Sequence, residues 1–488
     1  MDRLPLELRI RISQYLNSRE LCKLVRVSKS YYFTFTPELY REIHILGTNQ
    51  ESDTDFYQIL PGPNTSKSGP PARCLLYAIR EHPVFAGFVR SLSVDPFTYQ
   101  GTPELKPSRA LQESLLPRPV TRQTILRWQK ALDSDEELDS RQLLRNPWFA
   151  LLLLQLRNLQ RLSVWLPCQE HVSGLNSTSS TPHLDSIIRR AANPEQGILT
   201  RLTHLTLAET PPKYFDPPGI PLDRLVPYLK IPSLRYIHVT RITEQNKQAL
   251  PPHNFGCGIT EIHLEQCATT ISQLPRLLSG CPKLEAFTWI LQESKRHRPG
   301  YPHSPGFHWE PHRAYAPLYR VRSTLRRLSI TSHPHYGSEF LHHDDVYPQP
   351  AYFGPLCDFP VLESLCMRMV NLMPFRPGTR IPFSPLWKIL PSSLRTLHIT
   401  DCLVQTSHML CDELEALVAH CLTHLPQLES VSITYIMLET AFGQPCISCP
   451  GGSHGHGVVE EDPVIKRRLR TLQVSYKKHG INFWACRE

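Results

Sequence analysis

The feature that most constrains the fold is a six-residue pattern, Leu-x-x-Leu-x-Leu with other apolar residues as substitutes, which occurs eleven times between residues 89 and 474. The alternation at the end of the pattern is typical of a short strand with one buried face. The middle positions are Leu92, Leu162, Leu205, Ile237, Ile262, Phe287, Leu328, Leu365, Leu397, Val431 and Leu472. Recurrence over this length predicts an array in which each strand stacks on the one before it.

Two of these units match a longer pattern than the others do. Residues 259–267 and 394–402 extend the pattern to Leu-x-x-Leu-x-Leu-x-x-Cys, ending at Cys267 and Cys402. These units resemble leucine-rich repeats. The resemblance implies an α/β solenoid with parallel strands along a concave face and a structural role for both cysteines. Most steps between units exceed the usual repeat length, which predicts long helices or insertion loops, the main ones at 292–354 and 440–463.

Composition narrows the class of protein. The chain has 46 prolines in 488 residues, roughly twice the average frequency, which argues against a bundle of long helices. Its 41% of hydrophobic residues argue against general disorder. The longest apolar run, Trp148 to Leu154, is too short to span a bilayer, and the N-terminus lacks the apolar stretch of a secretory signal. We therefore expect a cytoplasmic or nuclear protein with reduced thiols and no membrane contact.

The first 45 residues have a different pattern, that of three short helices. Leu8, Ile12 and Leu16 recur at helical spacing, Asn17 and Ser18 can end one helix and cap the next, and a second apolar stripe follows. The segment LPLELRIRISQYLNSRELCKLVRVSKSYYFTFTPELYREI resembles an F-box, with Leu-Pro, Glu-Leu, Tyr-Leu, Leu-x-x-Leu, Val-Ser-Lys and Leu-Tyr-Arg in the family's order. Tyr40 stands where the family more often has tryptophan.

The F-box resemblance implies a partner. F-boxes bind the small Skp adaptor, which bridges to a cullin ubiquitin ligase. By the motif match, the residues that contact the adaptor or support the contact are Leu4, Pro5, Leu8, Ile12, Leu16, Leu21, Leu24 and Val27. Several of these leucines must instead pack inside the F-box, and all of them could simply cap the following domain.

The sequence thus divides into unequal parts. We expect an F-box at residues 1–47, a linker and lead-in at 48–85, a degenerate repeat array at 86–478, and a C-terminal tail at 479–488. The function implied is that of a non-catalytic substrate-recognition subunit of a Skp–cullin–F-box ubiquitin ligase. The alternative is a repeat scaffold or binding module that acts outside any ligase.

A protein substrate would contact the outward positions beside each middle leucine. One column of these positions runs from Arg161 through Arg327 to Thr471, and the next from Ser163 through Cys366 and His398 to Gln473. These columns are rich in Ser, Thr and His and lack the dense arginine cluster that a phosphorylated partner would favour. The candidate substrate contacts are Tyr236, His238, His263, Arg327 and Arg368.

Several other segments can each be interpreted in two ways. The aromatic and histidine-rich segment 292–354 is either a binding loop or an insertion tucked over the array's edge. The basic run at 466–470 is interpreted as a solvated face rather than a nucleic-acid patch. Zinc-ligand residue types occur in two loops, at Cys446, Cys449, His454 and His456 and at His342, His343, Asp344 and Asp345. Because neither has the usual spacing, we favour loops with incidental ligands over zinc sites and expect no metal and no cofactor. We also expect no enzymatic activity, because the many histidines do not form a recognisable triad with a placed nucleophile.

Overall fold

A computed structural model of the chain describes fourteen stretches of sequence. They are residues 4–45, 75, 78–79, 82–94, 147–166, 182–209, 219–243, 258–267, 274–291, 312–332, 352–375, 382–402, 407–435 and 463–487. Both candidate metal loops, most of the predicted linker and nearly all of the predicted 440–463 loop lie outside the described residues. The chain forms two compact units, one of Met1–Ile220, Arg224–Val239 and Phe255–Gly258, the other of Pro221–Asp223, Thr240–Asn254 and Ile259–Glu488.

The first unit begins with three helices, α1 (Leu6–Ser13), α2 (Ser18–Leu24) and α3 (Lys29–Arg41). Asn17 and Glu20 form a reciprocal capping box at the start of α2, and the Ser28 hydroxyl accepts from a backbone N–H of α3. A small core holds the helices together. Its buried members are Leu21, Tyr31 and Phe35, and Leu16, Leu24, Val25 and Leu39 pack around them.

The strands of the first unit pair in parallel and in chain order. They are β1 (Glu42–Ile45), β2 (Ser91–Val94), β3 (Arg161–Leu166), β4 (His204–Glu209) and β6 (Tyr236–Thr240). Strand β1 follows α3 directly and pairs with β2 from Glu42 opposite Ser91 to Ile45 opposite Val94. The sheet therefore begins inside the segment that the sequence assigns to the F-box.

The second unit contains seven parallel strands among its described residues, again in chain order. They are β8 (Glu261–Cys267), β9 (Ala286–Leu291), β10 (Arg327–Ser332), β11 (Ser364–Arg368), β12 (Thr396–Cys402), β13 (Ser430–Tyr435) and β14 (Asn482–Arg487). The middle residues of the sequence pattern stand opposite one another, from Ile262 and Phe287 to Leu397 and Val431. The parallel repeat array predicted from the sequence is confirmed by these pairings.

Helices and short strands connect the pairing strands. The helices are α4 (Pro83–Phe88), α5 (Pro147–Gln155), α6 (Pro182–Ala191), α7 (Leu222–Leu229), α8 (Leu274–Ser279), α9 (His312–Tyr319), α10 (Met369–Leu372), α11 (Leu386–Ile389), α12 (Ser407–His424) and α13 (Pro463–Lys478). A 3-10 turn, Pro194–Gln196, and two short strands, β5 (Ile220–Pro221) and β7 (Ile242–Thr243), complete the described elements. No described helix has both the length and the apolar composition that crossing a bilayer requires.

Each position of the pattern has its own structural role. The two apolar residues of the strand end, such as Leu397 and Ile399, are buried, while the position between them faces outward. The first leucine, such as Leu394, is buried in the turn before the strand. The residue before the strand donates its backbone N–H to a carbonyl oxygen of the preceding repeat, as Arg395 does to Glu363. The three apolar positions of the pattern are therefore one turn residue and two strand residues, and all three are buried in the same core.

The last of the eleven pattern occurrences is not a strand, which corrects the prediction. Residues 469–474 lie within α13, whose core-facing residues are Ile465, Leu472 and Tyr476. These three are spaced by seven and four, which is helical spacing, so the apolar face of a helix mimicked the strand pattern. The strand of this unit is β14, in the segment expected to be a tail, where Ile481 and Phe483 are buried.

The segment 292–354, expected as an insertion loop, carries regular elements within its described part. Helix α9 and strand β10 lie there, and β10 pairs with both β9 and β11. Tyr315 of α9 packs edge-on against Phe353 and Phe359, and its hydroxyl donates to the carbonyl oxygen of Pro355 at 2.9 Å. The described part of the segment is therefore a regular unit of the array, and Tyr315 is one of its packing residues.

Candidate protein-binding site

The N-terminal helices leave several large apolar side chains in solvent. Leu6 and Leu8 of α1 are about half exposed, at 49% and 46%, and Tyr15, Val27 and Phe33 are exposed by 67–80%. We call these five residues the N-terminal apolar set. Leu6, Leu8 and Phe33 lie on helices, and Tyr15 and Val27 lie in the turns that follow α1 and α2. The core around Leu21 and Phe35 holds these helices, so the side chains are displayed on a folded support.

The eight residues predicted to contact the adaptor divide by burial. Leu21 is buried in the core of the three helices, and Leu16 and Leu24 pack against that core. Leu4 and Ile12 are half-buried, and Pro5, Leu8 and Val27 are exposed. Three of the eight therefore hold the helices together, while the other five keep surface for a partner.

Sequence reasoning left three members of the N-terminal apolar set out of the predicted contacts. Leu6 follows Pro5 directly, Tyr15 belongs to the Tyr-Leu pair of the motif, and Phe33 ends an aromatic triplet. Tyr31 of that triplet is buried, whereas Phe33 is 72% exposed. Helical phase within the triplet would have separated them, because residues two apart on a helix point to different sides.

In the first unit, the outward strand face holds two of the predicted substrate contacts. Tyr236 stands opposite His204 in the register of β6 and β4, and their ring centroids are 5.5 Å apart. His238 stands opposite Thr206 and is half-buried. Tyr236 and His204 form an aromatic pair on this face. His238 is the next outward residue along β6 after Tyr236.

In the second unit, the three remaining predicted contacts lie on the outward face but differ in setting. His263 is half-buried and stands opposite Thr288. Arg327 is largely exposed, and its Nη2 forms an ion pair of 2.7 Å with Oε1 of Glu261. Arg368 is mostly buried and is ion-paired through Nε with Oδ2 of Asp401. Both arginines are therefore engaged within the protein, and Arg368 is the less available to a partner.

The pair between Arg327 and Glu261 reaches across a strand. Arg327 is in β10 and Glu261 in β8, and Ala286 of β9 stands between them in the register. The methyl side chain of Ala286 leaves room for the two long side chains to meet above it. The result is a charged bridge on the outward face, with both groups accessible to a partner.

The basic run at residues 466–470 lies on α13. Arg468 points towards α12, where its Nη2 is 2.6 Å from Oδ1 of Asp412 and 2.9 Å from Oε1 of Glu415. Lys466, Arg467 and Arg470 are exposed. One arginine of the run thus fastens two helices together, and the other cations form a solvated face.

Comparison with known proteins agrees with this architecture. A family model described as a leucine-rich repeat domain matches residues 136–444, more than half of the chain. No match to an F-box model accompanies it, and no curated protein matches the chain. Leucine-rich repeat domains are generally non-catalytic binding modules. The outward strand faces of both units are thus the faces of a repeat-type binding module, and the chain belongs to the leucine-rich repeat domain family.

Proposed function

We propose that the protein is a substrate receptor of a Skp–cullin–F-box ubiquitin ligase. In this role, the N-terminal helices dock on the Skp adaptor and, through it, on a cullin, while the repeat strands hold a protein substrate. The observation that carries the proposal is the N-terminal apolar set, displayed on a bundle of three helices whose sequence resembles an F-box, with side-chain caps on the second and third helices. A cytoplasmic or nuclear location belongs to the same proposal.

Exposed apolar area supports docking at the N-terminal helices. Burying one large apolar side chain contributes about 1.5–3 kcal/mol, so a partner that covers several of the five gains substantial affinity. Leu8 lies on α1, Phe33 on α3 and Val27 in the turn between α2 and α3, which suits a partner that presents a helix surface or groove. A few well-buried side chains usually carry most of the binding energy of an interface.

The strand faces support the substrate-binding half of the proposal. They present rows of small polar side chains, together with the Tyr236–His204 pair and the Arg327–Glu261 bridge. Neighbouring strands hold each row in a fixed register, so the face is preorganised and binding costs little ordering. A surface of this chemistry suits a protein partner with both polar and aromatic contacts.

The adaptor half is tested by affinity measurement with purified full-length protein and the Skp adaptor. Leu8→Asp and Val27→Asp place a charge at exposed apolar positions, and we expect each to weaken binding about tenfold or more. Leu422→Asp on α12 is the matched control, since Leu422 is similarly exposed but far along the chain. The proposal fails if wild-type protein does not bind the adaptor, or if both N-terminal variants bind as well as Leu422→Asp.

Recruitment of a cullin distinguishes the ligase-receptor hypothesis from the hypothesis of a scaffold that acts outside a ligase. Affinity purification from cells with the proteasome blocked should recover both adaptor and cullin with wild-type protein. Recovery of the adaptor without a cullin would favour the scaffold. Proteins retained both by the full-length chain and by a version lacking residues 1–41, which keeps strand β1, would be candidates for the strand faces.

A further inference from the structure

On the outward face of the second unit, the side chains of a cysteine, a histidine and a threonine form a chain of hydrogen bonds. Cys366 of β11 and His398 of β12 are direct cross-strand partners, and Cys366 Sγ is 3.4 Å from Nδ1 of His398. The other ring nitrogen, Nε2, is 2.7 Å from Oγ1 of Thr434 in β13. The order is that of a nucleophile, a base and a group that orients the base.

The hydrogen bonds define which ring nitrogen takes the thiol proton. With a proton on Nε2, His398 donates to the Thr434 hydroxyl, and the lone pair of Nδ1 faces the thiol of Cys366. Thr434 is buried, so its hydroxyl holds the ring in a fixed position. Burial also lowers the pKa of His398, which keeps the ring neutral near pH 7 and able to accept a proton.

Four other described cysteines have settings that disfavour the thiolate. Burial raises the pKa of Cys402, Cys411 and Cys421. Cys357 is exposed, but desolvation and the charge of Asp358 raise its pKa. Cys366 differs because it is partly accessible and its thiol faces a neutral imidazole. Thiolate character and access together determine which cysteine of a protein reacts first.

We propose that Cys366 is a modification site that undergoes thiol–disulfide exchange with a low-molecular-weight disulfide of the glutathione type, with His398 as base and Thr434 as positioning residue. The thiol proton moves to Nδ1, and the thiolate attacks one sulfur of the disulfide. The bond between the two disulfide sulfurs breaks as the bond to Cys366 forms. The departing half leaves as a thiolate and takes the proton from His398, so the ring returns to its neutral form.

The position of the thiol gives the modification a consequence. Cys366 stands between Ser329 of β10 and His398 of β12 in the row of outward residues. A glutathione group bound there adds a charged tripeptide to the outward face. If that face binds substrate as proposed above, the mixed disulfide blocks binding, and reduction restores it. The exchange reaction itself does not depend on the adaptor or on the substrate.

The test is the rate of glutathionylation at each cysteine of the reduced full-length protein. Protein is incubated with oxidised glutathione at pH 7.5, and the modified peptides are quantified by mass spectrometry over time. We expect Cys366 to react about tenfold faster than Cys22, which is exposed on α2. His398→Gln should bring the two rates within about twofold, and Thr434→Val should slow Cys366 while Thr434→Ser leaves it fast.

Two outcomes overturn the proposal: a wild-type Cys366 no faster than Cys22, or a Cys366 rate unaffected by His398→Gln. The buried Cys402 reports folding in the same samples, since it reacts only if a variant opens the core. Should His398→Gln expose Cys402, the wild-type pH profile decides. A Cys366 paired with His398 reacts at a nearly constant rate from pH 6.5 to 8, whereas an unassisted thiol speeds up about tenfold per pH unit, and that steep profile would also overturn the proposal.

Discussion

The hydroxyl of Ser393 donates a hydrogen bond of 2.9 Å to the carbonyl oxygen of Leu362, 31 residues earlier. Both residues lie in the turns that precede strands, so the bond ties one repeat to the repeat before it. The same relationship joins Ser233 to Leu202 in the first unit, at 2.8 Å. A hydroxyl residue directly before the first leucine of the pattern is thus a link between successive turns.

Ser393→Ala removes this link without changing the pattern of apolar residues. We expect the free energy of unfolding to fall by about 1 kcal/mol, because a partly buried carbonyl loses its side-chain donor. Ser392→Ala is the matched control, since Ser392 is exposed in the same turn. Urea denaturation of the two variants checks this, and equal losses would contradict the role assigned to the Ser393 hydroxyl.

The two ion pairs Arg368–Asp401 and Arg395–Glu429 should differ strongly in their effect on stability. The side chains of Arg368 and Asp401 are only 16% and 7% exposed, whereas those of Arg395 and Glu429 are 51% and 62% exposed. Removing the cation from a buried carboxylate is costly, so we expect Arg368→Leu to destabilise by about 3 kcal/mol. Arg395→Leu should cost less than about 1 kcal/mol. Urea denaturation measures both, and similar values would refute the distinction.

Gly354 occupies a position that only glycine fits. Its φ is +137°, and a Cβ placed there would lie 2.4 Å from Cδ2 of Tyr315, whose ring is packed against Phe353 and Phe359. We expect Gly354→Ala to destabilise by about 3 kcal/mol through backbone strain and overpacking. Gly480→Ala is the control, since Gly480 also has positive φ, +74°, but open space around it.

Thermal or urea unfolding compares the two glycine variants. Gly480→Ala should cost only about 1 kcal/mol, the usual penalty for alanine in the left-handed region. If the two variants lose equal stability, the close approach of Tyr315 is not what requires glycine at position 354.

Alkaline pH should lower the stability of the protein through the buried thiol of Cys411. Burial raises the pKa of Cys411 from 9.0 to about 11. Because the folded protein holds this proton more tightly than the unfolded chain, the stabilisation is complete below about pH 9 and is lost as the pH rises towards 11. Between these pH values, wild-type protein should lose on the order of 1–2 kcal/mol more than Cys411→Ala.

Urea denaturation at intervals from pH 8.5 to 11 provides the comparison for Cys411. The slope of stability against pH is the quantity compared, since Cys411→Ala also leaves a small cavity that lowers stability at every pH. Cys22→Ala, at an exposed thiol, should keep the wild-type slope. Identical slopes for wild type and Cys411→Ala would contradict the prediction.

Much of the fold could be predicted from the sequence because the buried positions repeat locally. The turn leucine and the two strand residues of each unit, as at Leu394, Leu397 and Ile399, are separated by three and two residues and are all buried. The prediction was wrong at Leu472, where a helix shows the same local spacing as a strand. Six residues do not distinguish the two periods, and only packing between α13 and its neighbours decides between them.

The candidate site was less predictable than the fold. The outward columns placed Cys366 and His398 on one face, but they do not predict that the two side chains meet or that Thr434 holds the ring. The same limit applies to Arg327 and Arg368, chosen as free contacts but engaged with Glu261 and Asp401. The aligned pattern predicts which residues stand opposite one another, but not which side chains meet, as Arg327 shows by pairing with Glu261 two strands away.

The sequence by itself determined which residues are buried in each repeat, where the N-terminal helices begin and that the strands run parallel. These properties depend on local spacing and on apolar and capping side chains, which act within a few residues. The tertiary structure alone decided that Cys366, His398 and Thr434 form a hydrogen-bonded line, since they lie on three strands separated by 32 and 36 residues. The physical reason is side-chain direction: the pattern places His398 opposite Ser432, but the ring reaches Thr434 two residues further along β13, and the packing of the folded strands selects that contact.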